Sequence, residues 1–176
     1  MPCKPIPFPL DSKVPKYRWR EILSIFERRL FQLIEIHSAH GYLLHEFLSA
    51  TFNQRGDAYG GSLENRMRLY DAVRSVWPKD KPLGVRVSAT DWMEDALDIN
   101  GTVAYAQALK DRGCDFIDVS SGGLSPNQAI LMDLEPGYQT RFAAQVKRES
   151  RLPTIAVGLI TEPKQAEHIL RSGQAD

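Results

Sequence analysis

Four short runs rich in Ile, Val and Leu, at residues 33–37, 83–88, 115–120 and 154–159, are separated by segments whose apolar residues recur at helical spacing. Parallel neighbours cannot be joined by a tight turn, so short buried strands divided by helical crossovers imply a parallel β/α sheet. No other feature limits the fold as strongly. Ser62 is placed to cap a helix over 63–76, with Glu64 in its first turn and Met67, Tyr70 and Val73 facing the sheet. A helix over 100–111 ends at Gly113, and a third near 139–149 turns Phe142 and Val146 inward. The last starts around Thr161, carries Pro163 in its first turn and stops at Gly173.

The first run ends in Ile36-His-Ser-Ala-His-Gly-Tyr42 and continues through Leu43-Leu-His-Glu-Phe-Leu48. On an extended backbone, residues three apart face opposite sides, so His37 and His40 converge on one ligand only where the strand ends and the chain turns. That makes a two-donor polar site at a strand tip. A histidine pair also admits a zinc reading, but catalytic zinc usually takes three protein ligands. Glu35 and Glu46, the nearest acids, are badly spaced to complete that set, so no metal is expected.

Two further segments carry polar chemistry. Arg86 stands inside the apolar run Val85-Arg-Val87 and requires an anion or carbonyl partner. A ligand is one partner, and an acid on a neighbouring strand, such as Asp118, is the other. Asn53-x-Arg55-x-Asp57-x-Tyr59-Gly-Gly-Ser62-x-Glu64-Asn65-Arg66 is dense in charge, and its expected role is to order the loop after the first strand. There, Arg55, Asp57, Glu64 and Arg66 can pair internally. His45, on the turn after the first strand, and His168, on the final helix, read as structural.

Together these three segments resemble the Old Yellow Enzyme family of FMN-dependent ene-reductases, and in particular its bacterial NADPH dehydrogenase branch, from about Ile34 to Asp176. The resemblance implies a TIM barrel, of which the four strands would be the fourth to seventh; a complete barrel takes roughly 250 residues. It implies FMN as cofactor and NAD(P)H as reductant, with hydride passing from reduced flavin to the β-carbon of a small α,β-unsaturated carbonyl compound. His37 and His40 would hydrogen-bond the substrate carbonyl oxygen, where charge develops. Tyr42 would lie over the flavin face and help to bind or protonate substrate, and Arg86 would meet the flavin pyrimidine ring. Gly158, in Ala156-Val-Gly158 after the seventh barrel strand, is a candidate for the FMN phosphate, with a turn glycine as the alternative.

The same resemblance predicts impaired catalysis. Family contacts to flavin from strand one, from a glutamine on strand three and from a Gly-Arg pair after strand eight have no counterpart here, which implies either a truncated gene product or a partner that completes the barrel. The alternative function is a non-catalytic half-barrel acting as an interaction module, its exposed sheet edges drawing copies into a homo-oligomer. A different phosphate-binding barrel enzyme would need a lysine at a strand end, whereas Lys79 and Lys81 precede a strand and Lys110 lies on a helix.

Composition closes other routes. The 22 basic and 22 acidic residues cancel, giving no electrostatic basis for binding nucleic acid or an anionic membrane surface. No stretch approaches the roughly 20 apolar residues of a membrane span. Cys3 and Cys114 are too few for a disulfide framework, so a cytoplasmic location is expected. Residues 1–30 read as a lead-in outside the family resemblance, with prolines at 2, 5, 7 and 9 and a helix from Arg18 to Phe31, and residues 31–176 as the partial barrel.

Overall fold

The computed structural model describes residues 31–60, 62–125 and 134–176, so the lead-in and nearly all of its expected helix lie outside the described residues. Within them the chain runs β1 (Ile34–Ser38), α1 (Leu43–Leu48), α2 (Leu63–Arg74), β2 (Leu83–Ser88), α3 (Ile99–Asp111), β3 (Phe116–Ser120), α4 (Thr140–Ser150), β4 (Thr154–Ala156) and α5 (Pro163–Arg171). The strands form one sheet in the order β1-β2-β3-β4, every pairing parallel. This is the β/α alternation of a TIM-barrel sheet.

Local chemistry explains most element ends. The Ser62 hydroxyl accepts from the Asn65 amide and starts α2, and Asp98 caps α3 through the Gly101 amide. Helix α2 stops at Arg74, two residues short of the expected end, and the Arg74 guanidinium donates to the carbonyls of Trp77 and Pro78. Strand β4 is three residues long rather than six: its pairing with β3 ends at Ala156, and Gly158 (φ 111°) and Leu159 (φ 53°) take left-handed conformations that no strand holds. Helix α1, where a turn is expected, is the one added element.

Alternation along the strands gives the sheet two unlike faces. Ile34 and Ile36 of β1, Leu83, Val85 and Val87 of β2, and Ile117 and Val119 of β3 point to one side and pair across it in register. Met67, Tyr70 and Val73 of α2, Val103, Ala106 and Leu109 of α3, and Phe142, Ala143 and Val146 of α4 cover that side, forming the core with Trp77. Fully burying each Val, Leu, Ile, Phe or Met among them stabilises the fold by about 1.5–3 kcal/mol relative to exposure. The opposite face carries Glu35, His37, Gly84, Arg86, Ser88, Phe116, Asp118, Ser120 and Ile155. Polar and charged residues dominate it, and it is the side that a closed barrel would turn inward.

Candidate active site at the strand tips

One row across the open face joins His37, Arg86, Asp118 and Ile155, each in register with the next. Arg86 is fixed rather than loose. Its Nε and one terminal nitrogen both donate to the Ser120 hydroxyl at 3.0 Å, and Nε lies 3.5 Å from an Asp118 carboxylate oxygen. The neighbouring-strand acid anticipated for Arg86 is therefore present. Three guanidinium N–H groups remain beyond the two spent on Ser120, and the side chain is still 30% exposed. The other Asp118 oxygen, Oδ1, is buried with no hydrogen-bond partner among the described residues. Burial outweighs Arg86 here and pushes the Asp118 carboxyl up; desolvation and the neighbouring Asp118 do the same to Glu35.

His37 and His40 converge as the turn after β1 requires, their ring centroids 5.3 Å apart. His40 has a left-handed backbone (φ 57°), and Gly41 follows at φ 75°. The loop after β3 packs closely on this turn: a Cβ on Gly41 would lie 2.2 Å from the Gly123 carbonyl oxygen, and one on Gly123 would lie 2.2 Å from the His40 Cα. Only glycines permit that approach. The His40 amide donates to the Ser88 hydroxyl, which donates in turn to the Gly122 carbonyl. Desolvation first and Arg86 second hold both imidazoles below their ordinary value, so each is neutral at pH 7 and keeps one N–H to donate.

Tyr42 stands beside the pair, its ring 5.2 Å from that of His37 and 62% exposed. Gly158 is further from this cluster in role. Its carbonyl receives the Gly137 amide, and a Cβ there would lie 2.8 Å from the Gln139 side-chain nitrogen, while Gln139 also accepts from the Ser121 hydroxyl. Gly158 thus has a packing reason of its own, between the loops after β3 and β4.

The charged loop behaves mainly as expected. Arg55 pairs with Asp57, while the Asn53 amide bridges the carbonyls of Phe47 and Tyr59, and the Asn65 amide holds the Gly60 carbonyl. The internal pairing of Glu64 with Arg66 does not form. Helical geometry turns Glu64 outward to Arg112 of the α3 end, and the Arg66 Nε is buried without a hydrogen-bond partner among the described residues.

The largest feature absent from the sequence reading lies behind the histidine turn. His45, Ser49 and Asp91 are all fully buried and joined by hydrogen bonds. Had α1 been read as a helix, the four-residue spacing of His45 and Ser49 would have placed both on one face. Nothing local marks Asp91 as their partner, because it arrives from the loop after β2.

An NADPH dehydrogenase of Geobacillus sp. (strain WCH70) is 46% identical over 186 residues, covering 97% of this chain and 53% of that protein. Among solved structures, a 2-naphthoyl-CoA reductase complex superimposes with a TM-score of 0.80 at 25% identity, over 91% of this chain and 25% of that one. An old yellow enzyme homologue from Zymomonas mobilis shares the fold, with a TM-score of 0.69 at 23% identity over 92% and 45% of the two chains. The chain spans about half the length of the curated relatives it matches. One family model matches residues 29–176, across all four strands and the His37 and His40 pair. The chain therefore belongs to the NADH:flavin oxidoreductase / NADH oxidase family.

Proposed function

We propose that this chain carries the substrate-recognition side of an FMN-dependent NAD(P)H oxidoreductase that reduces activated alkenes. The observation that carries the reading is the pair of imidazoles 5.3 Å apart at the tip of β1, in register with the tethered guanidinium of Arg86. His37 and His40 each donate one N–H to the carbonyl oxygen of an α,β-unsaturated substrate. The hydrogen bonds strengthen as that oxygen gains charge, which favours the transition state over the bound substrate. The role proposed for Tyr42, exposed beside His37, is to help bind or protonate the substrate.

The open face suits a flavin ring edge: Arg86 offers unspent donors and a fixed positive charge there. When bound, FMN reduced by NAD(P)H supplies the hydride. Arg86 is the residue proposed to hold its pyrimidine edge; Gly158 is a weaker candidate for its phosphate, since close packing against Gln139 already accounts for a glycine there. Two contacts give little binding free energy against the cost of association. The isolated chain is accordingly expected to bind FMN weakly and to turn over slowly. A cytoplasmic location suits a nicotinamide-dependent enzyme, and among the described residues no helix is long and apolar enough to cross a membrane.

A second reading, a half-barrel serving as an interaction module, is favoured by the sheet edges. Among the described residues β1 pairs with β2 alone and β4 with β3 alone, while Leu33, Ile155 and Leu159 are 51%, 43% and 49% exposed. Such edges favour self-association into a homo-oligomer. Light scattering after size-exclusion chromatography tests it, and a monodisperse monomer would rule it out.

The functional reading is tested in a chain whose barrel has been restored by grafting the missing family strands, by replacing His37 and His40 together with Ala and following both half-reactions. Alkene reduction and phenol binding should fall by roughly 10- to 100-fold, the equivalent of one or two charge-assisted hydrogen bonds. Flavin reduction by nicotinamide should change far less, because no enone oxygen takes part in it. Equal losses in both half-reactions would overturn the assignment.

A further inference from the structure

The partners of the two His45 ring nitrogens decide which of them carries a proton. Nδ1 receives the Gly41 amide at 3.0 Å, so the proton sits on Nε2, which donates to Asp91 Oδ1 at 2.8 Å. The remaining Asp91 oxygen accepts from the Ser49 hydroxyl at 2.8 Å and from the Leu97 amide at 3.0 Å. His45, Ser49 and Asp91 are 0% exposed, and the Asp91 carboxylate accepts from the His45 ring, the Ser49 hydroxyl and the Leu97 amide.

The far end of the network is the candidate site. Successive amides of His40 and Gly41 are taken by the Ser88 hydroxyl and by His45 Nδ1. A left-handed conformation at a residue other than glycine, such as His40, is disfavoured and persists only where neighbours impose it. We propose that Asp91 and His45 are positioning residues: by fixing the His45 tautomer, Asp91 presents an acceptor to Gly41, holds the left-handed turn, and so aims the His40 ring beside His37. The role of His40 as a substrate donor rests on the functional reading above; the coupling of Asp91 to the His40 ring does not.

The proposal makes a chemical distinction. In Asp91→Asn, the amide oxygen is claimed by Ser49 and by the Leu97 amide, which cannot reverse its polarity. The amide nitrogen then faces His45 Nε2 and drives the proton to Nδ1, where it opposes the Gly41 N–H. His45→Asn keeps an acceptor where Nδ1 stands and abandons Asp91, whereas His45→Gln keeps a donor for Asp91 and abandons Gly41.

The test is nitrogen-15 and proton spectroscopy of histidine-labelled full chain, with phenol titration and thermal unfolding alongside. The native chain should show His45 as the neutral Nε2–H tautomer. Asp91→Asn should show Nδ1–H, displaced His40 ring signals and phenol affinity lowered roughly tenfold or more. His45→Asn should keep the His40 signals despite a lower melting temperature, and His45→Gln should lose them at a smaller thermal cost. Should Asp91→Asn not fold, the contrast between the two His45 variants decides alone. Unchanged His40 signals in His45→Gln, or identical signals in the two variants, would overturn the proposal. Displaced His40 signals with no phenol binding by the native chain would support it and refute the substrate reading instead.

Discussion

The two faces of the sheet share strands, hydrogen bonds and register, yet differ in nearly everything else. On the covered side Ile117 is fully buried and Val85 is 1% exposed, while in the next row of the open side Ile155 is 43% exposed beside Asp118 and Arg86. A period of two residues is all that separates them. Stability is concentrated on one face and chemistry on the other, so a change of one position along a strand moves a substitution between the two.

The sharpest way to break that division is to cut equivalent residues on both sides. Ile117→Ala should lower the unfolding free energy by about 2–5 kcal/mol through lost transfer energy and a residual cavity. Ile155→Ala, on the adjoining strand but facing outward, should change it by no more than about 0.5 kcal/mol. Denaturant midpoints give both numbers, and equal losses would mean that another segment covers the open face.

One spot on the open face should resist the generalisation. Gly84 is buried there, and a Cβ on it would lie 2.2 Å from the Phe116 ring. Gly84→Ala should therefore destabilise by about 1–3 kcal/mol as an overpacking change. Shortening Phe116 to Ala in the same chain should recover part of that loss in a double-mutant cycle. No recovery would place the strain in the backbone instead.

The smallest expected effect is on pH dependence, and both of its signs originate on the open side. His37 and His40 are held below 6.5, so their contribution to stability is present above that pH and is lost as pH falls below it. Asp118 and Glu35 are raised above 3.8 and 4.5, so the folded chain holds their protons more tightly than the unfolded one. Their contribution is full below those values and is lost as pH rises through the raised ones. Asp118→Asn should flatten the carboxylate part of the profile and leave the histidine part in place. A profile unchanged in Asp118→Asn would show that the buried carboxylate is relieved by a partner outside the described residues.

Much of the fold was legible because its signals are local. Ser62 with Asn65, Gly113 and Pro163 mark helix ends through the chemistry of a single turn. The inward faces of α2 and α4 follow from helical spacing alone. The short β4 and the helix α1 were missed for the opposite reason. Where β4 stops is set by where β3 ceases to pair with it, and α1 is six residues long, too short for periodicity to reveal.

The candidate site divides in the same way. The sequence by itself determined that His37 and His40 meet at a strand tip, that Arg86 needs an acidic or ligand partner, and that the family is one of flavin oxidoreductases, because residue type and short spacing carry that information. Only the tertiary structure decided that Ser120 holds Arg86, that Glu64 turns to Arg112 rather than Arg66, and that Asp91 stands behind His45. Each of those pairings joins residues 34 to 48 positions apart. Contacts at such separations depend on the parallel register and on the loops that it stacks, and no local pattern of residues encodes them.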